Sequence, residues 1–453
     1  NEQLYEKVNL NIWKDFFKIL KPYKKKFLKL IGLMILLGTM DSTFPLLSKY
    51  AVDNFVEKKS LEGLEHYIII YFLAVVVLAS IIYQFIKMAG ELETLMAYDI
   101  RKIGFTKLQE LSLTYYDDKA VGWLMARMTS DIGRLSETIS WGLVDFSWGI
   151  TMMTGVTIYM LILNWKLALI TLSIIPILAV ISVYFQKRIL IAQRGVRKIN
   201  SQITGAYNED IQGAKTTKTL VREDLNLQEF SILTDSLKES SIKATILSSI
   251  YLPLVIGFGS IGTALAITFG GKFIMLDIIS YGTLVAFISY AAQFFEPVRQ
   301  LAVIFSEVQG AQASAERVFS LINEEPVIKD TDEVIEKYGS IFEPKKEIWP
   351  EITGTVDFKD VSFSYNDGEQ ILEGFNLHVE PGQTIALVGE TGSGKSTIVN
   401  LFCRFYEPTK GEIFIDGINY RELPQGWIHE NLGYVLQSPH LFSGTIKENI
   451  KYG

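Results

Sequence analysis

Residues 389–397 read Gly-Glu-Thr-Gly-Ser-Gly-Lys-Ser-Thr, and this stretch decides how the rest of the chain is interpreted. It fits a phosphate-binding pattern: a glycine, four residues, then glycine, lysine and a hydroxyl residue. Glycines let the backbone turn tightly and aim N–H groups at phosphate oxygens, while the lysine supplies a charge and the serine a hydroxyl for Mg²⁺. The candidate nucleotide-binding residues are Gly389, Glu390, Thr391, Gly392, Ser393, Gly394, Lys395, Ser396 and Thr397.

The segments on either side of this loop have the order that the pattern needs. Thr384–Val388 is an apolar run that predicts a buried strand, and Ser396–Phe405 predicts a helix. A second helix is predicted at Leu423–Asn431. Further strands are predicted at Val356–Phe363, Ile371–Val379, Glu412–Asp416 and Tyr434–Leu436. We therefore expect part of an α/β P-loop nucleotide-binding domain over residues 352–453, its N-terminal part, because no acidic strand end for Mg²⁺ follows.

Composition points to a membrane protein. The 453 residues are 49% hydrophobic, with a mean hydropathy of +0.23, which is too apolar for an ordinary soluble protein and long enough for two domains. A net charge of −7 lacks the excess of basic residues that is typical of nucleic-acid binding. The single cysteine, Cys403, predicts a small buried helix residue in a reducing compartment.

Six stretches are long and apolar enough to span a bilayer. They lie at 27–48, 66–86, 139–163, 167–187, 246–271 and 281–304. The second and fourth connections are long and carry most of the loop lysines and arginines, whereas the other three are short. By the positive-inside rule, the N-terminus, both long connections and the nucleotide-binding domain are cytoplasmic. The sequence thus predicts a multi-pass, α-helical protein of the plasma (inner) membrane, surrounded by lipid, with its transmembrane domain at 27–325.

The remaining segments predict how the two domains connect. Residues 1–26 carry apolar side chains at helical spacing followed by lysines, which is typical of a helix lying on the membrane surface. Both long connections are helical in pattern and predict long cytoplasmic extensions of the transmembrane helices, with turns near 117–125 and 213–220. Such extensions need something to contact, and the nucleotide domain is the obvious candidate. Residues 326–351 are charged, contain three prolines and predict a linker.

Four charged residues fall inside the predicted membrane segments: Asp41, Asp145, Glu296 and Arg299. Charge within a membrane is costly, so such groups usually face a cavity or a partner. Glu296 and Arg299 are spaced for pairing along one helix face. For Asp145 and Glu296, contact with a transported substrate and a structural role both remain open.

Several motifs then follow one another in the order of a known family. Tyr365, in Phe363-Ser364-Tyr365, matches an aromatic residue that stacks on adenine. Residues 389–397 match the Walker A motif, and Gln437, in Val435-Leu436-Gln437, matches the Q-loop glutamine that contacts Mg²⁺ and faces the membrane domain. The family-like segments elsewhere are Leu441–Ile450, Asn164-Trp165-Lys166-Leu167 and Phe295-Glu296-Pro297-Val298-Arg299-Gln300-Leu301. From about residue 10 onward, the chain resembles the exporter-type ABC transporter half-subunit.

This resemblance implies ATP and Mg²⁺ as cofactors, with Lys395 and Gln437 in catalytic roles and Ser396 and Gln437 near the metal. It implies an ATP hydrolase that exports an amphipathic small molecule, lipid or peptide as half of a homodimer or heterodimer. The turns near 117–125 and 213–220 correspond to its coupling helices. The signature sequence, the Walker B aspartate, the catalytic glutamate and the switch histidine would follow Gly453. The alternatives are lipid flipping or uptake by the same fold, and a weakly hydrolysing regulatory or gating subunit.

From the residues alone, two of these roles stay open. Tyr365 offers a flat apolar face to a base, but a strand tyrosine packed on the core fits as well. Gln437 has an amide donor and acceptor that suit a phosphate sensor, although an isolated glutamine is usually a surface residue.

Overall fold

The computed structural model describes residues 13–14, 18–365, 368, 370–437 and 439–452, without the side chains of Leu143, Phe295, Arg299, Ala302, Phe305 and Ser306. The chain divides into two compact units. The first comprises residues up to Arg101 together with Thr129–Phe319, and the second comprises Lys102–Met128 together with the residues from Ser320 onward. Most of the interfacial helix predicted within residues 1–26, and the side chain of Arg299, lie outside the described residues.

Helices, most of them long, build the first unit. They are α1 (Lys24–Ala51), α2 (Leu64–Glu110, whose last turns belong to the second unit), α5 (Ile132–Glu137), α6 (Leu143–Leu172), α7 (Ile174–Gln212), α8 (Ala214–Leu220), α9 (Glu223–Met275), α10 (Tyr281–Gln293) and α11 (Phe295–Ile322, with its last turn in the second unit). Between α2 and α5 lie α3 (Leu113–Asp118) and α4 (Val121–Ala126), both in the second unit. The predicted turns near 117–125 and 213–220 therefore coincide with the short helices α3, α4 and α8.

Five helical segments among the described residues are long and apolar enough to cross a membrane, by length and composition. They are Lys21–Val56, Leu64–Glu110, Val121–Leu172, Ile174–Gln212 and Glu223–Met275. The first, second, third and fifth predicted spans fall within these segments, whereas the fourth, 167–187, runs across the break at Ser173 between two of them. The short connection predicted at 164–166 is present as a break inside α6, where Asn164 has non-helical dihedral angles and its Oδ1 accepts a hydrogen bond from the Leu167 N–H at 3.0 Å.

The sixth predicted span, 281–304, is divided at Phe294 between α10 and α11. Pro297 explains the division, because a proline has no N–H for the carbonyl four residues earlier and its ring clashes with that carbonyl. Pro176 is the third residue of α7, as Pro297 is of α11, and the break before α7 falls at Ser173. Since α10 has only 13 residues, the sixth span stays a prediction.

Aromatic and apolar side chains from separate helices form the main core of the first unit. Met152, Val156 and Met160 of α6 pack with Phe287 and Tyr290 of α10, all buried. The hydroxyl of Tyr290 donates to the carbonyl of Ser42 in α1 at 2.9 Å. This bond satisfies the one polar group that the buried tyrosine brings into the core, so α1, α6 and α10 are held together.

A four-stranded antiparallel sheet forms the centre of the second unit. Its strands are β1 (Val356–Ser364), β2 (Gln370–Val379), β3 (Lys410–Ile415) and β4 (Ile418–Asn419), in the order β2-β1-β3-β4. The helices of this part are α12 (Asp332–Tyr338), α13 (Lys395–Phe402), α14 (Gln425–Glu430) and α15 (Ile446–Ile450). The strands predicted at 356–363, 371–379 and 412–416, and the helices predicted at 396–405 and 423–431, are confirmed with small shifts in their ends.

Two predicted strands are wrong for this structure. Residues 384–388 and 434–436 are extended but belong to no sheet. A strand forms only where a neighbour accepts its backbone hydrogen bonds, and neither segment has such a neighbour in the described part of the chain. Val388 is 93% exposed and Val435 is 95% exposed, although their sequence pattern is that of buried strands.

The segment predicted as a linker, 326–351, is folded against the second unit. Thr331 caps α12, where its side chain accepts from the Val334 N–H at 3.3 Å. Just before it, Asp330 pairs at 3.0 Å with Arg404, whose side chain is 1% exposed. A buried ion pair fixes a segment in place, because removal of either partner leaves an uncompensated charge. The role of this segment in joining two domains stays a prediction.

Asp416 closes the turn between β3 and β4 onto the segment that precedes β1. Its carboxylate accepts from the N–H groups of Thr353, Gly354 and Thr355 at 2.7, 2.9 and 2.8 Å. Burial disfavours the charged carboxylate, but these hydrogen bonds outweigh burial and hold the pKa of Asp416 below its usual range.

We expect Asp416→Asn to lower the thermal unfolding midpoint at pH 7, because an amide nitrogen replaces one of the two accepting oxygens. A lowered carboxyl pKa gives stability that is present above the unfolded pKa of about 3.9 and lost as pH falls through the folded value. The difference in unfolding midpoint between the wild type and the variant should therefore become smaller at about pH 3. Thermal unfolding in detergent, followed by intrinsic fluorescence, gives the two midpoints at each pH. The control, Glu351→Gln, alters an exposed carboxylate of the preceding segment; a gap that stays constant with pH would contradict this role of Asp416.

Candidate nucleotide-binding site

Three glycines of the loop at 389–397 fit its geometry: Gly392 and Gly394 have positive φ, and Gly389 lies close to Ser393. Gly394 caps α13 with φ of +86°, a left-handed conformation that other residues rarely adopt. A Cβ there would also lie 3.0 Å from Leu372 Cδ2. Gly389 is needed for space, since its Cβ would lie 2.6 Å from Ser393 Oγ. The loop is therefore tight at both ends, and it leads directly into α13, whose first amides have no partner within the helix.

Lys395 begins α13, and its ammonium group folds back over the loop. Its Nζ donates to the carbonyl oxygens of Gly389 at 2.8 Å and Glu390 at 2.6 Å, and it lies 3.4 Å from Ser393 Oγ. The next side chain, Ser396, is exposed, whereas Thr397 is buried. An ammonium group, the N-terminus of a helix and an exposed hydroxyl thus lie next to one another at the end of the loop, and these are groups that bind a polyphosphate.

Tyr365 lies directly after β1 and close to this helix. Its hydroxyl oxygen is 3.4 Å from Thr397 Oγ1. Its ring makes edge contacts with Phe363 and Tyr406, with ring centres 4.8 and 5.0 Å apart. The structure therefore brings Tyr365 together with the start of α13, and two aromatic neighbours pack against its ring. Its role in stacking on adenine stays a prediction.

Gln437 lies in the extended segment before α15, and its side chain is exposed. In the described part of the chain it makes no hydrogen bond to the phosphate loop. α15 itself starts with a capping box: Thr445 Oγ1 accepts from the Glu448 N–H at 3.2 Å, and Glu448 accepts from the Thr445 N–H at 2.7 Å. The helix that follows Gln437 is thus locally well defined, and the role of Gln437 at the metal stays a prediction.

Two family models match the chain. The "ABC transporter transmembrane region" matches residues 27–298, and "ABC transporter" matches residues 372–452. The chain belongs to the ABC transporter family. With its membrane and ATP-binding segments on one chain, it is an exporter-type half-transporter. A half-transporter of this family is a multi-pass membrane protein with an ATP-binding domain, and ATP drives its transport.

The relatives agree with this assignment. The chain is 33% identical to the uncharacterized ABC transporter ATP-binding protein YknV of Bacillus subtilis over 447 residues, which cover 97% of this chain and 72% of that protein. It is 34% identical to the probable multidrug resistance ABC transporter ATP-binding/permease protein YheH of Bacillus subtilis, over 78% of this chain and 50% of that protein. It is 28% identical to the ATP-dependent lipid A-core flippase of Syntrophus aciditrophicus, over 98% of this chain and 72% of that protein.

Two of the charged residues in the membrane half of the half-transporter have polar partners. Asp41 accepts from the indole N–H of Trp148 at 2.8 Å, and Asp145 accepts from the amide of Gln300 at 3.2 Å. These bonds join separate helices, so they favour the structural interpretation for Asp41 and Asp145. Glu296 is exposed beside α9, where it lines a groove of about 580 Å³. The other residues of this groove include Val255, Gly259, Ser260, Thr263 and Ala292.

Sequence reasoning missed one residue that contacts the candidate site of the half-transporter. Tyr406 packs against Tyr365 and donates its hydroxyl to Asp117 Oδ2, 289 residues away in sequence. The only signal in the sequence is an aromatic residue shortly after a predicted helix, and this pattern fits an ordinary core residue. Cys403, by contrast, is buried as predicted, and burial raises its pKa to about 11.

We expect Gly394→Ala to weaken nucleotide binding about tenfold, because a side chain at this φ costs about 1–3 kcal/mol and its Cβ presses on Leu372. The matched control is Gly433→Ala, since no atom lies within 4 Å of the added Cβ and φ is not positive there. Binding of a fluorescent ATP analogue to the purified protein in nanodiscs gives the dissociation constants. Equal affinities for the two variants would contradict the requirement for glycine at 394.

Proposed function

We propose that this chain is one half of a dimeric exporter that binds two ATP molecules with Mg²⁺ between its own nucleotide domain and that of a second half-subunit. The observation that carries the proposal is the phosphate loop: a left-handed Gly394, the Lys395 ammonium over the loop carbonyls and the start of α13 converge there. A chain that joins such a loop to apolar helices of membrane-spanning length suits ATP-driven transport.

Each loop residue has a role that its chemistry supports. The backbone N–H groups of residues 389–394 and the start of α13 bind the phosphates, and Lys395 neutralises the β- and γ-phosphates when it leaves the loop carbonyls. The Ser396 hydroxyl is exposed where it can bind Mg²⁺, which supplies charge for phosphoryl transfer. Tyr365 stacks on adenine. Gln437 contacts the metal and reports nucleotide occupancy to the membrane domain, which requires its segment to move from the exposed position seen here.

The proposed topology has six crossings, with the sixth assembled from α10 and the start of α11. The N-terminus, the extensions that end at α3, α4 and α8, and the nucleotide domain lie in the cytoplasm, because the basic residues concentrate in the two long connections. The plasma membrane is the proposed location. The domain bounds that we propose are 27–325 for the transmembrane domain, 326–351 for the linking segment and 352–453 for the nucleotide-binding part.

The cargo that fits best is amphipathic. The groove beside α9 is mostly apolar and contains one carboxylate, Glu296, besides the hydroxyl groups of Ser260 and Thr263. Such a lining suits a molecule with an apolar body and a polar end. Lipid flipping is the second candidate. The relatives include a lipid A-core flippase and, at 32% identity, a fatty acid ABC transporter ATP-binding/permease protein of Mycobacterium bovis, and this groove suits an acyl chain as well.

Lys395→Ala should reduce ATP hydrolysis at least about a hundredfold, because it removes the charge that faces the transferred phosphate. Phosphate release by the purified protein in nanodiscs gives the rate, and ATP-dependent uptake of an amphipathic dye into proteoliposomes gives transport. Lys410→Ala, at an exposed lysine at the start of β3, is the control and should leave both rates near wild type. Undiminished hydrolysis by Lys395→Ala would refute the assignment of this loop as the motor.

The dimer predicts a contact between α8 and the partner's nucleotide domain. The side chains of Lys215, Thr216 and Lys218 are exposed on this helix, and Val221 just after it is 83% exposed. An exposed polar face with an apolar tip suits docking into a groove. We propose that α8 docks close to Gln437 of the partner subunit.

Cysteines introduced together as Thr216→Cys and Gln437→Cys should therefore crosslink two chains upon oxidation. Gel electrophoresis of oxidised membranes separates a crosslinked dimer from a chain closed on itself. Cys403 can stay, because its buried thiol remains protonated at pH 8. Thr216→Cys alone is the control for collisional dimers. A crosslink found only within single chains would exclude the swapped arrangement.

A further inference from the structure

A chain of contacts within the second unit connects the first cytoplasmic turn to the start of α13. Asp117 of α3 accepts from the Tyr406 hydroxyl, and the Tyr406 ring makes an edge contact with Tyr365 at an interplanar angle of 84°. The Tyr365 hydroxyl in turn reaches Thr397 Oγ1. We call these four residues, Asp117, Tyr406, Tyr365 and Thr397, the tyrosine relay.

Both ends of the relay are anchored. At one end, Tyr115 of α3 and Leu124 of α4 pack with Leu111 and Leu321 in a small buried cluster, which fixes the position of Asp117. At the other end, Thr397 is buried in the first turn of α13. Two rigid ends joined by ring contacts transmit a displacement, because packed side chains cannot yield without losing contact area.

The link between Tyr406 and Asp117 is the strongest polar contact of the relay. A hydroxyl that donates to a carboxylate makes a charge-assisted hydrogen bond, about twice as strong as a bond between neutral groups. Burial, together with this hydrogen bond and the negative charge of Asp117, raises the pKa of Tyr406 above its usual range. The hydroxyl therefore stays protonated at any physiological pH, and it donates whenever Asp117 is within reach.

The aromatic contacts carry the constraint from Tyr406 to Tyr365. The Tyr365 ring makes near-perpendicular contacts with Phe363 of β1 and with Tyr406, and these two rings also contact each other, with centres 5.8 Å apart. Phe363 belongs to the sheet and is buried in its core, whereas Tyr406 depends on Asp117 for its polar anchor. A change in the position of α3 would thus alter only one of the two supports of Tyr365.

We propose that Tyr406 is a positioning residue for the nucleotide base: it holds the Tyr365 ring in the orientation for stacking only while Asp117 holds the Tyr406 hydroxyl. This inference rests on the proposed role of Tyr365. The first cytoplasmic turn then changes the affinity for the base, and by reciprocity a bound base stabilises the position of that turn. The contact operates within one subunit, unlike the contact proposed for α8.

The test compares ADP with inorganic pyrophosphate, since only ADP has a base and neither is hydrolysed at the site. Isothermal titration calorimetry of the purified full chain in nanodiscs gives both dissociation constants. Tyr406→Phe, which removes only the hydroxyl, should weaken ADP binding about fivefold, at the low end of typical coupling between sites, and leave pyrophosphate binding unchanged. Asp117→Ala should do the same, and the double variant should be no weaker than either single variant, because both remove one interaction.

Three further variants make the result decisive. Asp117→Asn keeps a carbonyl acceptor and should retain most of the ADP affinity. Tyr434→Phe removes a hydroxyl from a partly exposed tyrosine of the same domain and should change neither constant. Tyr365→Ala tests the proposed function itself. It should weaken the binding of ADP but not that of pyrophosphate, and unchanged ADP binding would refute adenine stacking by Tyr365. If Tyr365→Ala has this selective effect, two results for Tyr406→Phe would overturn the relay. One is unchanged ADP binding, and the other is an equal loss of affinity for ADP and pyrophosphate.

Discussion

The phosphate loop depends on one backbone conformation, the left-handed turn at Gly394. This turn comes directly before α13, whose first residue, Lys395, places its ammonium group on the loop carbonyls of Gly389 and Glu390. A side chain at this position would both strain the backbone and press on Leu372 of β2. The position of the charge is therefore set by the absence of a side chain, and the sheet and α13 are arranged around that constraint.

In the membrane half, the demand to satisfy every polar group shapes the helices. Without water, each backbone N–H and C=O must find a partner inside the protein. Two helix breaks precede a proline, at Ser173 before Pro176 and at Phe294 before Pro297, whereas Pro45 and Pro253 lie inside continuous helices. The carboxylates are satisfied in the same way: Asp41 accepts a hydrogen bond from an indole N–H, and Asp145 accepts one from a side-chain amide, each on another helix. These two acids thus tie helices together, and the Glu296 carboxylate lines the groove beside α9.

The second unit shows how a cytoplasmic turn becomes part of a nucleotide-binding fold. Residues 102–128 group with the residues from Ser320 onward, through the buried cluster of Leu111, Tyr115, Leu124 and Leu321 and through the bond from Tyr406 to Asp117. The segment before β1 is tied to the same fold by Asp330 and Arg404. The first attachment is a hydrogen bond to an exposed carboxylate, whereas the second is a buried ion pair, which would leave an uncompensated charge if either partner were removed.

The sequence by itself determined the features that depend on neighbours in the chain. The loop at 389–397, five apolar segments of spanning length, and β1, β2 and β3 follow from residue type and spacing, because glycine conformation, hydrophobic length and side-chain alternation are local properties. The tertiary structure alone decided whether residues 384–388 and 434–436 form strands, since a strand exists only where a neighbour pairs with it. It alone also decided which donors satisfy Asp41 and Asp145, and that Tyr406 reaches Asp117 across 289 residues, because no local pattern encodes contacts between distant segments.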